Sequence, residues 1–497
     1  MFLRGDGTNN ELRPAQKYVL EKIEQVWYKD TKPIVILGQT GLGKSMLAKC
    51  IQNQFRSVSI TTPQNSLIKQ YIEQYPDLNY WWGQEHFTCH KPDHHVDGCP
   101  YIVNRQKAID GEATIFNPMS QYYLRRVNPS MPHSKVVVID EAHAVLSMLY
   151  NLSTTEFTID ESYSKPQELQ TSYKLEEYLE KKFQYAKEMF EVYDSTGEDG
   201  KARKFRSQMR KISPVLDGLQ SEPECYSIKW EEEKIKVQCT NLPQRIIDNT
   251  FGVGRKVLMS GTIFKPDIIE LLGTEDYHLI EPPAAIPAEN RKIFHRPIEG
   301  FRINHKTDRA ALGYFINRTI SKYGKGHRTI IHLPYSWSED IYMQLLGRPD
   351  GKPIFKHDKY NKAAVLKLFK ETPNSVLIAC GMAEGIDLKG DLCRLNIIPK
   401  ILWPNTKDDF VLKKAGQGNK GKLWYELETA KVVIQQIGRS TRGPNDWSHT
   451  IILDPSFERM VKQVGRHLPK SFLDAIIFHK GKDIINDETR LEQIQAV

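Results

Sequence analysis

Gly38-Gln39-Thr40-Gly41-Leu42-Gly43-Lys44-Ser45 is the stretch on which the reading of the fold turns. It fits G-x-x-x-x-G-K-[ST] at every specified position. An apolar run, Ile34–Leu37, precedes it, and residues 46–54 continue as a helical stretch. A strand, a glycine turn and a helix in that order form a phosphate cradle. Glycines let the backbone curl so that N–H groups point inward, and the helix N-terminus adds partial positive charge. Lys44 is expected to reach the β- and γ-phosphates and Ser45 to ligate Mg²⁺, with Gly38, Thr40, Gly41 and Gly43 shaping the loop. A chance glycine-rich turn is the plain alternative, and the flanking strand and helix argue against it.

Downstream, the apolar run 136–139 leads into Asp140-Glu141-Ala142-His143. A buried strand ending in Asp is how a nucleotide site holds its metal, so Asp140 is expected to bind Mg²⁺. Glu141 then stands next to it to polarise the attacking water. A lone Asp-Glu is more often an acidic helix cap, but here it follows a phosphate loop. ATP and Mg²⁺ are the expected cofactors.

Outward from these motifs, short β-rich runs alternate with amphipathic stretches, the pattern of parallel α/β domains. In the first region the strand candidates are Ile34–Leu37, Val58–Thr61, 136–139 and 257–259. In the second they are 329–333, Val376–Ala379, Leu395–Ile398 and 450–453. Between them the pattern changes. Residues 174–193 place Leu175, Leu179, Phe183, Ala186, Met189 and Phe190 on one helical face. Residues 201–211 read as a second, basic helix. The expected organisation is a first domain over 1–145 with a small Cys/His insertion at about 80–110. A mostly helical, arch-like insertion follows over 146–245. The first domain returns over 246–285, and a second domain spans 286–497. The linker is expected within 281–289, which contains Pro282, Pro283 and Pro287.

With 497 residues the chain is long enough for two or three domains, and a net charge of +8 suits a polyanionic partner without requiring one. The seven cysteines, Cys50, Cys89, Cys99, Cys225, Cys239, Cys380 and Cys393, are odd in number and scattered, so a disulfide scaffold is excluded. No stretch approaches the roughly 20 apolar residues of a membrane span, and the polar first ten residues lack a signal core. A soluble protein of the reducing, cytoplasmic compartment is expected, with no membrane partner.

The motifs together resemble superfamily 2 helicases, in which Asp140-Glu141-Ala142-His143 is the DEAH box. Leu12-Arg13-Pro14-Ala15-Gln16 resembles the upstream element whose Gln contacts adenine. Thr61-Thr62-Pro63 resembles a nucleic-acid-contacting element. Ser260-Gly261-Thr262 stands where the family has its S-A-T coupling motif, with Gly replacing Ala. Glu384-Gly385-Ile386-Asp387 resembles the E-G-x-D motif. Gln435-Gln436-Ile437-Gly438-Arg439-Ser440-Thr441-Arg442 fits Q-x-x-G-R-x-x-R. The resemblance implies an α/β protein of two RecA-like parallel-sheet domains, with Arg439 and Arg442 reaching the γ-phosphate from the second domain and Gln435 beside them. Arg439 and Arg442 are three apart on an expected helix, which puts them on one face. An arginine supplied in trans stabilises phosphoryl-transfer charge. The same resemblance makes His143 and Thr262 the coupling residues, with Thr62, Gly385 and Asp387 along the strand path.

Within that superfamily the chain is similar to the XPD/DinG-like branch. That branch places one insertion between phosphate loop and DEAH and a helical arch between DEAH and S-A-T. Residues 113–118, ending in Asn117-Pro118, also resemble its strand before DEAH. The branch implies a translocase on single-stranded and forked DNA moving 5′ to 3′. The alternatives are an RNA helicase and a translocase that never separates strands. A non-motor nucleotide-dependent binding module is the rival from another class, and it predicts loss of Glu141 or the arginines. No protein partner is indicated.

XPD-like members carry an iron–sulfur cluster on four cysteines in the first insertion. Here the segment 86–100 has only Cys89 and Cys99, with His86, His90, His94 and His95. A four-thiolate cluster within it is excluded by number. A zinc site of unusual spacing, a metal-free remnant and a cluster with unusual ligands stay open, and no metal ligand is assigned. Three other segments are candidates for nucleic acid: the basic helix 201–211, a basic glycine-containing loop at 412–422, and Tyr80-Trp81-Trp82, whose rings could stack on bases or pack in a core.

Overall fold

A computed structural model describes residues 11–39, 41–83, 86–88, 98–127, 133–158, 172–231, 234–298, 301, 303–304, 306–382, 388, 390–441, 443 and 445–478. The chain divides into two compact units, Met1–Pro283 and Ala284–Val497.

The first unit carries the strands β1 (Ile34–Leu37), β2 (Val58–Thr61), β3 (Asn79–Tyr80), β4 (Ala113–Phe116), β5 (Val136–Asp140), β6 (Thr155–Thr158), β7 (Tyr226–Glu231), β8 (Lys234–Cys239), β9 (Arg255–Ser260) and β10 (His278–Ile280). Seven of them form one parallel sheet in the order β10-β1-β9-β5-β2-β4-β3. The central strands β2, β4 and β5 are buried along their whole length. Continuous Val and Ile runs suit that setting, because helices cover both faces of a parallel sheet. Register puts the phosphate loop, Asp140 and Ser260 together. Leu37 pairs with Ser260, and Asp140 pairs with Met259, so the chain after β1, β5 and β9 emerges at three adjacent C-terminal strand ends.

The insertion differs in part from the sequence expectation. Its helices are longer than expected, Ser172–Ser195 and Asp199–Ser221, and pack as an antiparallel pair. It also contains a three-stranded antiparallel sheet in the order β6-β8-β7, where a mostly helical block was expected. The helices bury Leu175, Leu179, Ile212, Val215 and Leu219 against Phe157, Ile235 and Val237 of that sheet. The sheet supplies the apolar surface that two amphipathic helices cannot give each other alone.

Asp217 fixes the insertion to the sheet domain. Its carboxylate is nearly inaccessible and accepts hydrogen bonds from Tyr122 Oη (2.8 Å) and Arg126, with Asn249 Nδ2 at 3.4 Å and Arg245 at 3.9 Å.

The second unit has the strands β11 (Ile293–His295), β12 (Thr329–His332), β13 (Ile354–Lys356), β14 (Val376–Ala379), β15 (Leu395–Ile398), β16 (His449–Ile452) and β17 (Ile476–Phe478). They form a second parallel sheet in the order β13-β14-β12-β15-β16-β11-β17. The segment 412–422, expected as a basic loop, is instead the junction of two helices, Asp409–Ala415 and Gly418–Ile437. Asp408 caps the first by accepting from the Phe410 and Val411 N–H groups. Gly421 lets the second pack on the Lys414 carbonyl, and Lys414 is buried. None of the described helices is long and apolar enough to cross a membrane, and none of the six described cysteines is in a disulfide.

Candidate active site

The phosphate loop joins β1 to a helix that starts at Lys44 and runs to Gln52, two residues earlier at each end than expected. Gly41 (φ 91°) and Gly43 (φ 81°) take the left-handed backbone that the cradle demands. The loop is held from outside by the helix Pro14–Trp27. Gln16 Nε2 donates to the Leu42 carbonyl (2.9 Å), and Arg13 Nη1 donates to the Gly41 carbonyl (2.8 Å). Gln16 Oε1 accepts the Arg13 N–H at 2.8 Å. Gln16 is buried, so here its amide supports the loop from behind. Ser45 sits in the first turn of the helix and Gly38 at the strand end, while Thr40 lies outside the described residues.

Lys44 Nζ lies 2.8 Å from Glu141 Oε1. Glu141 adopts φ 49°, ψ 49°, a left-handed conformation rare for a residue with a side chain. Strain of this kind clusters where a side chain must be aimed. It sets the Glu141 carboxylate between Lys44 and His143, whose Nδ1 is 3.6 Å from Glu141 Oε2. His143 Nδ1 also lies 2.7 Å from Ser260 Oγ, and that oxygen accepts the Thr262 N–H at 3.1 Å. The contact of His143 is thus with Ser260, and Thr262 joins the network through its backbone. Gly261 lies against the phosphate loop itself, since a Cβ there would stand 2.9 Å from the Gly38 carbonyl oxygen. This close approach is the physical reason for Gly in place of Ala.

Asp140 is nearly buried. Its Oδ1 accepts the Glu141 N–H (2.9 Å) and its Oδ2 accepts from Tyr71 Oη (2.9 Å). Burial pushes its carboxyl up to about 6, and the Glu141 charge adds to this; Lys44 and the Tyr71 hydroxyl act the other way. Oxygen donors from Asp140 and Ser45 fit a hard ion such as Mg²⁺.

Asn117, at the end of β4, donates from Nδ2 to the Pro63 carbonyl (3.2 Å) and accepts the Met119 N–H (3.0 Å). It braces the Thr61-Thr62-Pro63 turn. Thr62 is fully buried, and its N–H donates to the Phe116 carbonyl at 3.0 Å. In this arrangement the Thr62 side chain is not presented at the surface. Trp81 is buried with Phe116 and Leu124, and Tyr80 packs on Trp82 with ring centres 5.0 Å apart.

In the second unit, Gln435 lies near the end of the helix Gly418–Ile437. The helix stops at Ile437 with Gly438 as its cap, so Arg439 lies beyond it, off the helix expected to carry it. Asn396 Nδ2 donates to the Gln436 carbonyl at 3.2 Å, and Leu388 N–H donates to the Arg439 carbonyl at 3.3 Å. These two bonds tie the turn to β15 and to the segment that follows β14. The pKa of His332, at the end of β12, is held down to about 3 by burial and the nearby Arg439. Arg442, Gly385 and Asp387 lie outside the described residues, as do Cys89, His90, His94 and His95; Cys99 is buried at the start of the helix Pro100–Asp110.

Ser260 and Gly261 are visible in the sequence as part of a motif, without their individual contacts; Tyr71 carries no local signal there.

Comparison with known proteins agrees with this geometry. Residues 9–184 match the family described as type III restriction enzyme, res subunit, and residues 323–474 match the helicase C-terminal domain family. An XPD helicase structure aligns with 94% of this chain and 100% of its own, at 15% identity and a TM-score of 0.59. Xpd4 of S. tokodaii aligns over 94% and 100%, at 15% identity and 0.58. A structure of apo XPD aligns over 92% and 99%, at 14% identity and 0.57. At such identity these likenesses speak for the fold.

Proposed function

Since this chain belongs to the superfamily 2 helicases and is XPD/DinG-like in build, we propose that it hydrolyses ATP to move along single-stranded DNA in the 5′-to-3′ direction and to open forked duplexes. The observation that carries the reading is the unbroken contact series from Lys44 through Glu141 and His143 to Ser260. It ties the phosphate loop to the element that follows β9, so a change at the γ-phosphate has a physical route outward.

Lys44 leaves Glu141 to meet the β- and γ-phosphates, and Glu141 is then free to orient and polarise the attacking water. Asp140 and Ser45 would hold Mg²⁺, which supplies charge neutralisation at the phosphates. Gln16 positions adenine as well as the loop, and Gln435, Arg439 and Arg442 serve the γ-phosphate when ATP is bound. His143 and the Ser260-Gly261-Thr262 turn pass the change to the strand path, with Gly385 and Asp387 as its contacts. A reducing cell interior suits cysteines that, among the described residues, form no disulfide.

Strand displacement on duplexes with 5′ or 3′ single-stranded tails, in DNA and in RNA, tests the reading. ATP-dependent opening of the 5′-tailed DNA substrate is expected. Opening only of RNA, or only of 3′-tailed DNA, overturns the substrate or the polarity.

A further inference from the structure

Tyr71 sits in the helix Asn65–Gln74, which begins directly after the Thr61-Thr62-Pro63 turn and packs beneath the sheet. Tyr71 is 1% exposed and Asp140 is 4% exposed, and the Tyr71 hydroxyl reaches Asp140 Oδ2 across 69 residues of sequence. The other carboxylate oxygen is fixed by the N–H of Glu141. The two donors therefore determine the plane of the carboxylate and leave its remaining lone pairs for a cation. A phenolic O–H lies close to the ring plane, and the ring is packed, so the donor has little freedom. No second protein donor to Oδ2 is present among the described residues.

We propose that Tyr71 is a positioning residue for metal binding, its buried hydroxyl holding the Asp140 carboxylate in the orientation that receives nucleotide-linked Mg²⁺. The proposal rests on the reading of Asp140 as the metal carboxylate. Tyr75, the neighbouring ring 6.5 Å away, is as buried, but its hydroxyl accepts from Gln74 Nε2 and is not bonded to Asp140. It supplies a control at equal depth.

The test is equilibrium binding of a fluorescent ATP analogue to the full chain in Mg²⁺ and in EDTA, with the ratio of the two affinities as the readout. Tyr71→Phe is expected to lower that ratio roughly tenfold, the size of one hydrogen bond to a charged group. The EDTA affinity, which reports an intact phosphate loop, stays as in the wild type. Tyr75→Phe leaves the ratio unchanged. Asp140→Asn collapses the ratio, and adding Tyr71→Phe to it has no further effect, because Tyr71 acts through that carboxylate. An unchanged ratio in Tyr71→Phe, beside a collapsed one in Asp140→Asn, overturns the role of Tyr71 alone. Equal losses in Mg²⁺ and EDTA, or a further drop in the double variant, also overturn it, since they report general packing. A full ratio in Asp140→Asn overturns the assignment of Asp140 instead.

Discussion

Gly261 is pressed so closely on the phosphate loop that a Cβ at its position would stand 2.9 Å from the carbonyl oxygen of Gly38 and 3.3 Å from the Cα of Gln39. Both neighbours are backbone and cannot swing away. The turn after β9 and the loop after β1 are thus in direct contact, as the pairing of Leu37 with Ser260 requires. Gly261→Ala is expected to displace the phosphate loop, with an overpacking cost of about 1–3 kcal/mol. A lower melting temperature together with a raised KM for ATP is the expected result. Unaltered values of both would mean that the contact relaxes at no cost.

Ser260 Oγ joins His143 Nδ1 and the Thr262 N–H. Ser260→Ala removes both contacts and leaves Lys44, Asp140 and Glu141 in place. ATP turnover is expected to persist within several-fold of the wild type, while duplex opened per ATP consumed falls. Parallel measurement of phosphate release and strand displacement checks this; a ratio equal to that of the wild type would remove Ser260 from the coupling route.

Asp217 holds the helical insertion to the sheet domain through Tyr122 and Arg126. Asp217→Ala leaves the Tyr122 hydroxyl buried without that acceptor and the Arg126 guanidinium without its anion. Removing one partner of a buried pair is costly, and Arg126 is partly open to water, so a loss of about 2–3 kcal/mol is expected. A drop of several degrees in melting temperature checks it, with ATP affinity in the first unit little changed.

His332 and His449 give the second unit an acid-sensitive stability. Burial holds their pKa values down to about 3 and about 4, helped by Arg439 beside His332 and by Lys292 and His327 beside His449. Unfolded, each takes a proton near pH 6.5, whereas folded neither does until far lower. The unfolded state therefore binds more protons in that window, and stability falls as pH drops below about 6.5. Melting temperatures from pH 7.5 to 5 are expected to decline, and the decline is expected to be shallower in His332→Gln. Equal slopes for the variant and the wild type would contradict the assignment.

The phosphate loop, the DEAH segment and the parallel sheets were legible because each is written locally. Glycines at fixed offsets, a Val/Ile run ending in Asp, and a lysine followed by serine specify backbone and chemistry within a few residues. The hairpin of β7 and β8 was written as clearly, with Ile228 and Trp230 opposite Ile235 and Val237 at alternate positions, but two strong helical stretches beside it masked the signal. The end of the helix at Ile437 was harder to see. Gly438 caps it, yet the Gln and Arg spacing fits a continuing helix equally well. The role of Tyr71 was not legible at all. Its partner is distant in sequence, and an aromatic at a buried helical position looks like any core residue.

We assign Lys44 and Glu141, paired in this structure, to the hydrolytic site of an ATP-driven motor that nucleic acid stimulates. The assignment is tested most directly by steady-state ATP turnover of the full chain with and without single-stranded DNA, for the wild type and for Lys44→Ala. Turnover that single-stranded DNA stimulates is expected in the wild type, and none in Lys44→Ala, which still binds the strand weakly. Near-wild-type turnover in Lys44→Ala would contradict it.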